Sequence, residues 1–331
     1  MSLKPIHHLF IASACLVIVS FLSLMIGNTL VSLPQLIQAL FHFDGQNDVH
    51  TLVTGSRASR TIIALLTGAA LAVAGLFMQV LTRNAVASPG LFGVNAGAVF
   101  FIVTGVTLIR VHSFEALVVM AFVGAILVTI LVVGLGMFKQ ARFTPQRVIL
   151  AGASISMLFT AFTQGILIMN ETNLQGLLFW LSGSVSLRNI WDIPWMIVII
   201  LLFLIAGFFM APHLNILMTS DEIATGLGQN VKRIKWVIVL MISVLAGSSV
   251  ALAGSIIFVG LIIPNIAKLI LPPRYQLLIP YTALLGSCLM ISADIVARVI
   301  IRPLELPVGI ITGILGALVL IYLMKKGIYR V

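Results

Sequence analysis

Three arginines stand at the ends of apolar segments in a chain that carries few charges: Arg57 and Arg60 just before one segment, Arg298 at the close of another. A guanidinium offers a planar fork of donors that matches a carboxylate through two parallel hydrogen bonds, so such groups can dock an acidic partner surface. The same residues can instead act as snorkelling anchors at a lipid boundary. Asp294 and Arg298 also have the i,i+4 spacing of a simple helical pair.

A second constellation lies between Met218 and Trp236. Thr219 followed by Glu222 has capping-box spacing, with Ser220 and Asp221 between them. Asp221 and Glu222 would face the positive end of a helix dipole. Ile223, Ala224 and Leu227 would form an apolar stripe, and Gly228 is placed to end the helix after about two turns. The pattern predicts a short helix over 219–228, followed by the basic anchor Lys232-Arg233-x-Lys235.

Several chemistries are missing. There is no Gly-x-x-x-x-Gly-Lys-Ser/Thr loop for nucleotide phosphates, no His-Glu-x-x-His and no Gly-x-Ser-x-Gly. The six histidines (His7, His8, His42, His50, His112 and His213) fall in terminal or loop regions without ligand spacing, and read as solvated residues. The acids Asp44, Asp48, Glu115, Glu171, Asp192, Asp294 and Glu305 fall in or near loops on one face, Asp221 and Glu222 on the other. No proton or sodium site of the buried-acid kind is expected. Cys15 and Cys288 lie in apolar stretches and offer neither a disulfide framework nor metal spacing.

The elements that must position these residues follow from composition. Of 331 residues, 60% are hydrophobic and 8% charged, with a mean hydropathy of +1.19. Soluble domains carry roughly 25% charged residues, so lipid is the solvent here. The net charge of +10 reads as basic loops against an anionic leaflet rather than as nucleic-acid binding. Apolar stretches cover Leu9–Gly27, Thr61–Leu81, Leu91–Ile109, Ala116–Phe138, Val148–Met169, Ile193–Ala211, Leu277–Ala293 and Pro307–Met324. A ninth run, Trp236 to Ala267, is closed by Lys235 and Lys268 and is long for one span. It is expected to make two short passes that turn near Gly254-Ser255.

Ten spans result, and the first run shows no cleavage site of a removable signal. Thirteen basic residues then collect on one face (Lys4, Arg83, Lys139, Arg142, Arg147, Lys232, Arg233, Lys235, Lys268, Arg274, Lys325, Lys326, Arg330). Six collect on the other (Arg57, Arg60, Arg110, Arg188, Arg298, Arg302). That asymmetry puts both termini in the cytoplasm. Gly93-x-x-x-Gly97 and Gly309-x-x-x-Gly313 have the spacing of close helix crossings. Neither a soluble domain nor an internal repeat is visible, so residues 1–331 are expected to form a single transmembrane domain with an inner loop over about 212–235.

Blocks spread along the chain carry a resemblance. They are Arg57-Ala58-Ser59-Arg60, Gly68-Ala69-Ala70-Leu71-Ala72-Val73-Ala74-Gly75 with Gln79, and Arg83-Asn84 through Pro89-Gly90-Leu91-Phe92-Gly93-Val94. Ala224-x-x-Leu227-Gly228, Phe258-Val259-Gly260-Leu261-Ile262-Ile263-Pro264, Ala293-Asp294-Ile295-Val296-Ala297-Arg298 and Glu305-Leu306-Pro307-Val308-Gly309 follow in order. With them the chain resembles the permease subunits of binding-protein-dependent ABC importers for iron-siderophores, haem and cobalamin.

The resemblance implies an all-α, ten-helix subunit of a bacterial cell membrane, with both termini inside. It implies a second permease subunit (homo- or heterodimer), two cytoplasmic ATPase subunits, an extracytoplasmic substrate-binding protein and a lipid surround. No cofactor is bound by this chain; ATP and magnesium belong to the partner ATPase. Thr219–Gly228 (Thr219, Ser220, Asp221, Glu222, Ala224, Leu227, Gly228) maps onto the coupling helix that seats in the ATPase. Arg57, Arg60 and Arg298 map onto the arginines that meet glutamates of the binding protein, and Asn84, Val86, Thr144 and Gln146 onto a cytoplasmic gate.

Three positions depart from the family pattern: Asn84-Ala85-Val86 replaces Asn-Pro-Leu, Pro264-Asn265 replaces Pro-His, and Gly316-Ala317-Leu318 replaces Gly-Ala-Pro. The expected substrate is a ferric siderophore, with cobalamin or haem as the alternative. A secondary transporter or channel is the rival from another class, and it would call for buried acids.

Overall fold

Long uncharged runs in lipid must satisfy every backbone N–H and C=O within their own segment, and only helices do so without a closed barrel. In the computed structural model, residues 5–111, 113–136, 145–169, 182–186 and 189–325 are described, and their regular elements are all helical. Thr144 and Arg188 lie outside the described residues. The helices are α1 (Pro5–Met25), α2 (Leu33–Phe41), α3 (Ala58–Thr82), α4 (Val94–Thr104), α5 (Phe114–Gly136), α6 (Pro145–Met169) and α7 (Pro194–Phe209). They continue as α8 (Ala211–Leu217), α9 (Asp221–Gly226), α10 (Val231–Ala253), α11 (Val259–Ile270), α12 (Tyr275–Val299) and α13 (Val308–Lys325).

Six stretches are long and apolar enough to cross a bilayer: Pro5–Met25, Asp48–Thr82 (which contains α3), Phe114–Gly136, Gln146–Met169, Val231–Ala253 and Tyr275–Val299. The pair α7 and α8, bent by 52°, is a seventh. Val94–Ile109, Val259–Ile270 and Val308–Tyr322 are apolar but shorter.

The long run after Lys235 divides unequally. Its first part is the full-length α10, because the helix already starts at Val231 and takes in Lys232, Arg233 and Lys235; only α11, of 12 residues, is short. The expectation of two short passes is corrected to one long and one short. The break falls where Gly254 adopts φ +73° and Phe258 φ +72°, with Gly254 supplying the left-handed freedom that stops α10.

α3 is the buried axis of the fold and packs against α10, α11 and α12. Lipid gives helices no hydrophobic reason to associate, so close backbone approach and dispersion hold them together. Its small residues permit that approach: a Cβ on Gly68 would lie 2.3 Å from the Gly286 carbonyl oxygen of α12, and one on Gly75 would lie 1.8 Å from that of Gly260 on α11. Gly97 likewise crosses α5 at Gly124, whereas Gly313 faces open space, so only part of the glycine spacing seen in the sequence marks crossings.

Candidate functional site

Chemistry-bearing side chains gather at the two ends of α3. The 23 residues from Arg60 to Arg83 span about 35 Å at 1.5 Å per residue, so the two clusters stand a bilayer apart.

The first cluster centres on Asp294, which is fully buried in α12. Arg60 Nε donates to its Oδ1 at 2.8 Å, and Arg298 Nη2 donates to its Oδ2. Arg60 Nη1 reaches Glu305 Oε2 at 2.7 Å. Arg298 also donates to the carbonyls of Ser23 (2.9 Å) and Ile26 (3.0 Å) and to Ser23 Oγ (2.7 Å). Arg57 donates to the carbonyls of Leu24 (2.8 Å), Met25 (3.0 Å) and Thr29 (2.5 Å).

The acceptors at residues 23–26 are the carbonyls that α1 leaves without helical partners at its C-terminus, where cations are also favoured by the dipole. Arg57 and Arg298 therefore cap α1, and Arg60 ties α3 to α12 and to the turn before α13. The three arginines are 6%, 8% and 3% exposed, each held by acceptors inside the protein. The i,i+4 pair of Asp294 and Arg298 is present, as one link of a larger network.

Asp294, expected in or near an outer loop, lies inside the last turns of α12. Arg60 donates to one of its oxygens and Arg298 to the other, so its charge is met within the protein. His50 is a second correction: it is 6% exposed, because its Nδ1 accepts the Asp44 N–H at 3.1 Å. Among the described residues no three histidine, cysteine or acid side chains are grouped so as to hold a metal.

The second cluster surrounds the short helix read from the sequence. α9 covers Asp221–Gly226, and its N-cap is Ser220, whose side chain accepts from the Ile223 N–H. The capping box expected from Thr219 and Glu222 is replaced by a simple serine cap one residue later, with Ile223 at the third position, since the Thr219 hydroxyl donates back to the Ile216 carbonyl at 2.7 Å. Gly228 turns the chain at φ +80°. Ala224 is buried beneath the helix, while Ile223 and Leu227 are 54% and 66% exposed. Apolar residues are thus presented outward on a firmly capped helix.

Next to α9, Arg83 ends α3 in the left-handed region (φ 49°). Its Nη2 meets Asp221 Oδ1 at 2.8 Å and the Leu217 carbonyl at 3.1 Å. Lys235 Nζ approaches Asp221 Oδ2 at 2.6 Å. Asn84 follows, its Oδ1 accepting from the Val86 N–H at 2.9 Å; Val86 is exposed. The Ala85 carbonyl receives Gln79 Nε2 (3.0 Å) and Asn265 Nδ2 (2.9 Å), and Lys268 Nζ donates to Gln79 Oε1 at 2.6 Å. Gln146 is exposed at the start of α6. Asn265, a departure from the family pattern, is one of the residues holding the loop over 84–86. Sequence reasoning left it without a role, because its partner lies 180 positions earlier in the chain.

Buried small-residue helix crossings and an exposed capped helix between long apolar segments define a polytopic helical membrane protein. Residues 15–326 match the model of the FecCD transport family, and the chain belongs to that family. It is the membrane permease of an ABC importer, with ATP hydrolysis carried by a separate subunit. The chain is 41% identical over 305 residues to the Bacillus subtilis protein named Probable siderophore transport system permease protein YfiZ, covering 92% of this chain and 91% of that one. It is 37% identical to the ferric enterobactin transport system permease protein FepD of Escherichia coli, over 94% and 92% of the two chains. A solved inward-facing structure of a metal-chelate type ABC transporter superposes with a TM-score of 0.83 at 29% identity, covering 96% and 98%.

Proposed function

We propose that this permease imports ferric siderophores through a pathway of ten membrane segments with both termini in the cytoplasm. It would pair with a second permease subunit, two ATPases and an extracytoplasmic binding protein. The relatives named for siderophore and ferric enterobactin transport support the substrate. Six long spans, the bent pair α7–α8 and three shorter apolar helices would make ten segments if each short helix also crosses, and the basic asymmetry supports the orientation. The observation that carries the coupling role is α9, which holds Ile223 and Leu227 out on the face where Lys232, Arg233 and Lys235 gather. ATP closing the partner subunits would move α9 and tilt the spans between two states.

The buried state of Arg57, Arg60 and Arg298 changes their proposed part in docking. They hold the α1 end, the α12 end and Glu305 in one arrangement, and that assembled face is what a binding protein would meet. Asn84 and Val86, on the loop held by Gln79 and Asn265, are the proposed inner gate; Thr144 and Gln146 enter that proposal through the family resemblance alone.

Uptake tests the substrate. Proteoliposomes holding this permease with its ATPase and binding protein should accumulate a ⁵⁵Fe-siderophore only when ATP is enclosed with the ATPase, and cobalamin should not compete. ATP-independent accumulation would overturn the coupling, and efficient competition by cobalamin would overturn the substrate. Topology is tested in a background with Cys15 and Cys288 replaced by serine. A membrane-impermeant thiol reagent added outside intact cells should label Gln46→Cys and spare Lys232→Cys, and labelling of Lys232→Cys would reverse the orientation.

A further inference from the structure

We propose that the Arg83–Asp221 ion pair is the physical link through which movement of α9 reaches the loop over 84–86. It rests on the coupling role proposed for α9, and it names the residues that pass the motion on.

Asp221 opens α9, and its carboxylate joins three elements. Oδ1 meets Arg83 at the end of α3, Oδ2 meets Lys235 in the first turns of α10, and the residue itself belongs to α9. Arg83 is the last residue before Asn84, so whatever pulls its side chain also moves the start of the loop. The far side of that loop is fixed: the Ala85 carbonyl is held from α3 by Gln79 and from α11 by Asn265, with Lys268 bracing Gln79. The loop over 84–86 is therefore anchored at one end to the membrane helices and at the other to the element that faces the ATPase.

Stability alone is a poor account of the pair. The Arg83 and Asp221 side chains are 45% and 46% exposed, where solvent screening leaves an ion pair little net value. Arg83 moreover adopts a left-handed backbone (φ 49°), which a residue with a Cβ takes at an energetic cost unless its surroundings hold it there. The turn itself is closed by backbone bonds, Arg83 N–H to the Val80 carbonyl and Asn84 N–H to the Gln79 carbonyl, both 3.3 Å, and the side chain it projects is held by Asp221 and the Leu217 carbonyl, both on the α8–α9 side. The side chain projected by this turn is the one that reaches α9.

The test uses the complete importer in proteoliposomes and measures siderophore molecules transported per ATP hydrolysed. Arg83→Gly suits it because glycine accepts the left-handed turn while the whole side chain, guanidinium included, is removed. Arg83→Gly and Asp221→Asn should each keep the ATPase bound and hydrolysing while lowering the transport-to-ATP ratio by about fivefold, the low end of coupling between linked sites. The double variant should be no worse than either single, since both remove one interaction. Arg83→Lys, which can reach the carboxylate as a point charge, should recover part of the ratio. If Arg83→Gly fails to assemble, the same ratio in Asp221→Asn decides. An unchanged ratio in either assembled single variant, or losses that multiply in the double, would overturn the link. Leu227→Glu is run in parallel: uncoupling there with a normal ratio in Arg83→Gly rejects the link alone, whereas full transport by Leu227→Glu rejects the coupling role of α9 and the link with it.

Discussion

Asp294→Ala is expected to destabilise the folded permease by about 3–5 kcal/mol, the cost of breaking a buried ion pair by removing one partner. The carboxylate is fully buried and accepts from Arg60 and Arg298. Without it two guanidinium groups face one another in a region of low dielectric, where like charges repel strongly. The measurement is thermal unfolding of the purified protein in detergent, with Asp294→Asn beside it. Asparagine keeps the shape but loses the charge, so it should recover only a small part of the loss. The double variant Asp294→Ala/Arg298→Met should be less damaged than the sum of its single changes, because the repulsion is gone. It should not reach the parental value, since the carbonyls of Ser23 and Ile26 lose their donor. A midpoint for Asp294→Ala within experimental error of the parent would show that the network does not support this end of the molecule. The same reasoning predicts that Arg60→Glu, facing Asp294 and Glu305, fails in folding before it can report on docking.

Leu227→Glu is expected to abolish siderophore uptake and ATPase association while the protein still inserts in the membrane. Leu227 is 66% exposed on α9, so the change leaves the permease core untouched. Covering a leucine side chain at an interface stabilises it by roughly 1.5–3 kcal/mol. Losing that and burying a carboxylate instead weakens association by about a hundredfold or more. Gly228→Val should act through the backbone instead. No atom lies within 4 Å of a Cβ built there, yet φ is +80°, a conformation strained for a β-branched residue. Gly228→Ala should show the milder form of the same defect. Co-purification of the ATPase and ⁵⁵Fe-siderophore uptake check both variants, and undiminished uptake by Leu227→Glu would remove the coupling role from α9.

The membrane class, the apolar segments and the short helix at 219–228 were legible in the amino-acid sequence. Each depends on a property that residues carry individually or over a few neighbours. Partition into lipid is close to a sum over a segment, so 8% charge and runs such as Ala116–Phe138 already exclude water as solvent. A helix terminator is equally local: Gly228 stops α9, and Gly254 stops α10, where the sequence placed them. The cap of α9 was legible only to within one residue, because Thr219 and Ser220 both have the right chemistry. The choice was made by the Ile216 carbonyl, which takes the Thr219 hydroxyl.

What only the tertiary structure decided are the partners of the polar groups. Arg60 meets an acid 234 positions away, Arg83 one 138 positions away, and Arg57 the carbonyls at the end of α1. From the sequence those arginines could anchor in lipid, dock a partner or pair locally, since one side chain's chemistry permits all three. Desolvation decides which intramolecular partners they take. Once α3 is packed against α12, a guanidinium at its end leaves water and must find acceptors inside the protein, and the nearest are fixed by chain closure rather than by sequence spacing. The same closure brings Asn265 onto the Ala85 carbonyl, joining elements that no local pattern connects.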